Sequence, residues 1–76
     1  MPLLTVKAIE GVFTPPQKRE IIHKLTETLV SIKGEALRPY TQVIIEEVKS
    51  GDWGVGGNVM TTAAVKDLGS RQDKDA

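Results

Sequence analysis

Chemistry is most legible at Pro2, which follows Met1 and opens the apolar stretch LLTVKAI. Two readings of it stand. In one, Pro2 merely begins a strand, a place where a missing N–H leaves no ladder bond unmade. In the other, trimming of Met1, favoured by a small second residue, frees a secondary amine at the chain terminus. An α-amino group titrates near about 7.7–8.0, and an apolar pocket or a nearby cation lowers that value because either disfavours the charged form. A neutral amine can take a proton from carbon next to a carbonyl and return it elsewhere, which is general acid–base isomerisation without metal or cofactor. The proline ring holds such a nitrogen nearly fixed on the end of a strand.

Other catalytic constellations are nearly absent. There is no cysteine nucleophile and no HExxH pair, and the lone His23 reads as a surface or boundary residue of a helix. The serines and threonines have no evident base. The run GVGG could present backbone N–H groups to a phosphate. It lacks GxxxxGK[ST] and no convincing helix begins right after it, so a hairpin explains its glycines more simply. Trp53, the only tryptophan, is either a pocket wall or an interface filler.

The elements that must position Pro2 can be read in order. Leu3 to Ile9 sets Leu4, Val6 and Ala8 on one side of a strand and Leu3, Thr5, Lys7 and Ile9 on the other. Both sides are partly apolar, which suits a strand covered by a helix on one face and by a neighbouring subunit on the other. Glu10-Gly11 closes it. In TPPQ, Thr14 caps a helix, Pro15 takes the first helical position and Gln17 completes a capping box. Ile21, Ile22, Leu25, Leu29 and Ile32 then recur at helical spacing, and Gly34 offers a left-handed stop.

After a connector containing Arg38-Pro39, QVIIEEV from Gln42 to Val48 is a second strand, and SGDWGVGGN predicts turns or a small hairpin. The order β-α-β implies parallel strands joined by a right-handed crossover. Two strands and one helix leave a sheet face uncovered, so the chain is expected to assemble.

Composition supports that expectation. The chain has 76 residues, no cysteine and one histidine, and a domain of about 60 residues buries only about 60% of the surface its unfolded form exposes. Disulfide and metal staples are missing, which leaves oligomerisation. Ten basic residues balance ten acidic ones, so no global basic field attracts nucleic acid or an anionic membrane. No apolar run approaches the roughly 18 residues of a membrane span. The expected location is cytoplasmic. The expected organisation is one β-α-β domain over residues 1–68, followed by a flexible charged tail over 69–76.

Taken together, MP before a strand ending in Glu10-Gly11, an amphipathic helix, VIIEE and GDWGVGG resemble the 4-oxalocrotonate tautomerase family of small amino-terminal-proline enzymes. The resemblance runs from Pro2 to Gly57. It implies an α/β fold in which β-α-β protomers with parallel strands and a C-terminal hairpin assemble into a symmetric oligomer, commonly a hexamer. It implies a cofactor-free isomerase acting on a small molecule, with Pro2 shuttling a proton between oxygen and carbon of an enol or dienol of a 2-oxo acid.

Trp53 looks like the family's pocket aromatic, which can reach the site from a neighbouring subunit. The family's two arginines correspond to Val12 and Gln42. A charge-assisted hydrogen bond is worth about 1.5–3 kcal/mol, so losing two weakens recognition of a dianionic substrate by powers of ten unless something replaces them. Gln42 can donate one neutral hydrogen bond, Val12-Phe13 favours an aromatic or alkyl tail, and Arg38 is a candidate cation beside its plainer role in the connector. Two other outcomes of the same resemblance are a hydratase or dehalogenase relative and a non-catalytic oligomer on the same fold.

Overall fold

The computed structural model describes residues 1–75, with side chains described as far as residue 69. Strand β1 runs Leu3–Ile9, helix α1 Pro15–Lys33, a 3₁₀ segment Glu35–Tyr40, and strand β2 Gln42–Val48. Short strands β3 (Trp53–Val55) and β4 (Asn58–Met60) and helix α2 (Thr62–Asp75) follow. The chain divides into two compact units, Met1–Lys7 with Phe13–Glu46, and Ala8–Val12 with the chain from Glu47 onward.

β1 and β2 form a two-stranded sheet. Their direction follows from the bonds at either end. The Gln42 N–H donates to the Pro2 carbonyl at 3.0 Å, and the Glu10 N–H donates to the Val48 carbonyl at 2.8 Å. Start meets start and finish meets finish, so the strands are parallel, as a crossover helix between them requires. Period-2 alternation sets the faces. In β1, Leu4, Val6 and Ala8 are half-buried or buried while Leu3, Thr5 and Lys7 are exposed. In β2, Val43 and Ile45 are half-buried while Gln42, Ile44 and Glu46 are exposed.

α1 starts where its sequence punctuation places it. The Thr14 side chain accepts from the Gln17 N–H at 3.3 Å, and the Gln17 side chain accepts from the Thr14 N–H at 2.9 Å. Pro15 lies in the first turn, where its missing N–H has no intrahelical role. Val30 is the buried residue of the helix, and Ile21, Leu25 and Leu29 are half-buried on the same stripe.

Two local expectations change in detail. Gly34 ends the helix with φ 112° and ψ 164°, positive in φ but outside the left-handed helical region, and its N–H donates to the Val30 carbonyl. The connector is a 3₁₀ segment closed by the Thr41 N–H donating to the Arg38 carbonyl at 3.3 Å.

In the second unit β3 and β4 pair antiparallel, with Trp53 opposite Met60 and Val55 opposite Asn58. Gly56 and Gly57 form the two-residue link, at φ 59° and 86°. A type I′ link, whose twist matches that of the strands, needs positive φ at both positions, which explains the glycine pair. Beyond it α2 begins. Thr61 caps it by accepting from the Ala64 N–H at 3.2 Å, and the Val65 N–H donates to the Thr61 carbonyl at 3.1 Å. The helical backbone continues through residues 69–75, the stretch for which the sequence analysis expects a tail. Residue 76 lies outside the described residues.

The core is thin. Among the described residues, Ala8, Ile9 and Val30 are the buried apolar ones, while Leu3, Ile22, Ile32, Ile44, Val55 and Val59 remain at least 40% exposed. Packing therefore leaves little margin for a lost cap. Thr14→Ala is expected to lower stability by about 1 kcal/mol. In a domain of this length that is a fall in Tm of roughly 4–8 °C at matched protein concentration, read by circular dichroism.

Candidate active site

Strand pairing decides where Pro2 stands. It is half-buried at the foot of β1, and its carbonyl is held by the first amide of β2, that of Gln42. Pro2 and Gln42, read separately from the sequence, are thus brought together by one backbone hydrogen bond of 3.0 Å. The Gln42 side chain is on the exposed face of β2. Met1 precedes Pro2 and is 83% exposed, so the Pro2 nitrogen is an amide here and its acyl group lies in solvent.

Phe13 is half-buried and lines an open groove of about 350 Å³ with Gln17, Glu20, Ile21, Lys24 and Leu25. The rim is an ion pair one helical turn long. The Lys24 ammonium lies 2.6 Å from Glu20, the favourable order for such a pair along a helix. The hydrogen bond from Lys24 holds the Glu20 carboxyl below its ordinary range.

Arg38 is engaged from two sides. Its guanidinium bonds Glu27 on α1, at 3.0 Å from Nη2 to Oε2, and Glu35 in its own segment, at 2.9 Å from Nε to Oε1. The hydrogen bonds from Arg38 hold both carboxyls below their ordinary range, and the two carboxylates in turn hold the guanidinium more firmly protonated. This cluster ties the 3₁₀ segment to α1. A substrate anion drawn to Arg38 must compete with Glu27 and Glu35.

Val12 and Trp53 belong to the second unit. Val12 closes the turn after β1, its N–H donating to the Ile9 carbonyl at 3.3 Å. Gly11 stands third in that turn at φ 80°, as a type II turn requires. Trp53 begins the hairpin and is half-buried.

Sequence reasoning missed the residues that brace the turn. Glu47 accepts from the Gly11 N–H at 3.3 Å, and the Glu10 side chain accepts from the Ser50 N–H at 3.2 Å. Thr62 closes on the Glu10 carbonyl through its hydroxyl. These partners are 36 to 52 positions apart, so no local pattern links them. The start of α2 was findable, because Ala64, Val65 and Leu68 have helical spacing behind the capping Thr61. Among the described residues, no three His, Cys, Asp or Glu gather to hold a metal ion. No helix among them is long and apolar enough to cross a membrane.

Comparison with known proteins agrees with this architecture. The family model described as tautomerase enzyme matches residues 2–63. A probable tautomerase of Dickeya dadantii is 36% identical over 62 residues, covering 80% of this chain and 90% of that protein. One of Listeria monocytogenes is 40% identical over 57 residues, covering 75% of this chain and 90% of that protein. The crystal structure of a 4-oxalocrotonate tautomerase homologue superposes with a TM-score of 0.69 at 36% identity, covering 78% of this chain and 90% of that one. A 4-oxalocrotonate tautomerase isozyme from Methylibium petroleiphilum gives 0.68 at 29% identity, covering 84% of this chain and 97% of that one. The chain belongs to the 4-oxalocrotonate tautomerase family and is by that membership an isomerase. The resemblance read from Pro2 to Gly57 thus covers most of the matched region.

The Arg38 cluster has a pH signature. Glu27 and Glu35 have folded pKa values below their unfolded ones, near 4.5, so their stabilising effect is present above that value and is lost as pH falls through the lowered values. Arg38→Gln is expected to melt slightly earlier than the parent at pH 7. The gap between the two melting curves should narrow as pH falls through the lowered values; a gap that does not narrow on acidification would count against the ion cluster as its source.

Proposed function

We propose that the protein is a cytoplasmic, cofactor-free tautomerase of 2-oxo acids in their enol or 2-hydroxydienoate forms, with the amine of Pro2, freed by removal of Met1, as the proton shuttle. The observation that supports this most is the pairing of a half-buried Pro2 with the first amide of β2 beside a Met1 that is 83% exposed. The residue to be activated is anchored through its carbonyl, and the residue to be removed is open to an aminopeptidase.

In this reading the neutral Pro2 nitrogen accepts the enol O–H proton, the double bond moves towards oxygen, and the protonated amine delivers a proton to the distal carbon. No net proton is gained or lost. The Gln42 side chain donates to the developing carbonyl or oxyanion. Val12 and Phe13 favour an apolar tail on the substrate, and Trp53 of a neighbouring subunit, as the family resemblance implies, supplies an apolar wall that keeps the amine neutral. With no arginine at the Val12 and Gln42 positions, a monoanionic substrate suits the chain better than a dicarboxylate.

The assembled form is a homo-oligomer, a hexamer by the family resemblance. Its support is the apolar surface left on each element: Leu3 and Ile44 on the sheet, Ile22 and Ile32 on α1, Val55 and Val59 on the hairpin.

Ketonisation of phenylenolpyruvate by Met1-trimmed protein tests the reading. The expected rate exceeds buffer and rises as a group below the ordinary amine pKa loses its proton. In Pro2→Ala the rate falls, though by less than the about 100- to 10,000-fold that a general base supplies, because alanine still offers an amine. A parent rate equal to buffer, or a Pro2→Ala rate equal to the parent's, would contradict it.

A further inference from the structure

The turn after β1 is braced more heavily than a solvent-exposed turn needs. Glu10 is held at three atoms. Its N–H donates to the Val48 carbonyl at 2.8 Å, its side-chain Oε1 accepts from the Ser50 N–H at 3.2 Å, and its carbonyl accepts from the Thr62 hydroxyl. Gly11 donates to Glu47 at 3.3 Å. The bracing residues are themselves joined, since the Thr62 N–H donates to the Ser50 hydroxyl oxygen at 3.0 Å. Thr62 is therefore the first residue of α2 and the closing member of a loop of bonds through Ser50 and Glu10. Its methyl also crowds the turn: a Cβ built on Gly11 would sit 3.3 Å from Thr62 Cγ2.

We propose that Thr62 is a positioning residue, through which helix α2 holds the Glu10–Gly11–Val12 turn, and with it Val12, in one conformation for substrate. The inference rests on the reading of Val12 as a substrate-side residue. A turn carrying a substrate contact gains from having few alternative conformations, because ordering it on binding would otherwise subtract from affinity. A bond between two segments 52 positions apart restricts the turn where local bonds alone do not. α2 extends to residue 75, past the end of the family match at residue 63, so the brace is continuous with a helix that runs beyond the matched region.

Thr62→Val is the informative variant. It keeps the shape, the methyl crowding on Gly11, the N–H to Ser50 and the Thr61 cap, and it removes only the hydroxyl. Thr62→Ser restores the hydroxyl. Amide hydrogen exchange is measured on the full-length, Met1-trimmed protein at Gly11 and Ser50, together with phenylenolpyruvate kinetics. The expected result for Thr62→Val is exchange faster by about two- to tenfold at both amides, the range a single net hydrogen bond gives. KM rises by a similar factor, kcat keeps its pH profile because Pro2 is untouched, and Thr62→Ser reverses both changes.

Unchanged exchange at Gly11 and Ser50 overturns the inference, as does an unchanged KM in a protein that turns the enol over. A parent protein silent towards the enol is a failure of the proposed function. In that case exchange alone decides the brace: faster exchange in Thr62→Val with recovery in Thr62→Ser upholds it, and no difference overturns it.

Discussion

The parallel pairing of β1 with β2 is the constraint on which the other features hang. Strands running the same way need a long connection, and α1 with its 3₁₀ continuation is that connection. Parallel register also sorts the chain by strand end. The starts, Pro2 and Gln42, are bonded to one another, and so are the finishes, Glu10 and Val48. The candidate base and a candidate hydrogen-bond donor therefore share one end through secondary structure alone. The turn bearing Val12 follows the other end, where Glu47, Ser50 and Thr62 hold it.

Features encoded over a few residues were legible in the sequence. Both long strands have the bounds read from LLTVKAI and QVIIEEV, because alternation and β-branching act locally. The capping box did the same for α1, and the glycine pair for the hairpin. Features that depend on distant partners were not legible. Arg38 reads as a free connector cation until the fold brings Glu27 to it from 11 positions away. Glu10 reads as the end of a strand until Ser50 and Thr62 close on it. α2 lay between these cases: its start has local signals at Thr61, Ala64, Val65 and Leu68 that a reading of the stretch as turning polar and charged did not use.

The sparse core and the exposed apolar residues point to one economy. A chain this short cannot cover both faces of its sheet, its helix and its hairpin, and a chain without cysteine cannot staple them. Assembly answers that need, and in the proposed reading it also supplies the dry surroundings of the Pro2 amine. Desolvation is the means by which an amine becomes a base near neutral pH without a metal or a cofactor. In the proposed reading, Val12 and Gln42 stand where the family resemblance implies arginines, which leaves apolar burial rather than neighbouring cations to keep the Pro2 amine neutral.

The state of that amine is the centre of the account. Met1-trimmed protein labelled with ¹⁵N at proline allows the Pro2 nitrogen to be titrated directly by NMR. The account predicts a midpoint below the about 7.7 of an ordinary terminal amine, leaving the nitrogen largely neutral at pH 7. A midpoint at or above that value would mean that Pro2 is a charged strand start in water, and the proton-shuttle reading would have to be abandoned.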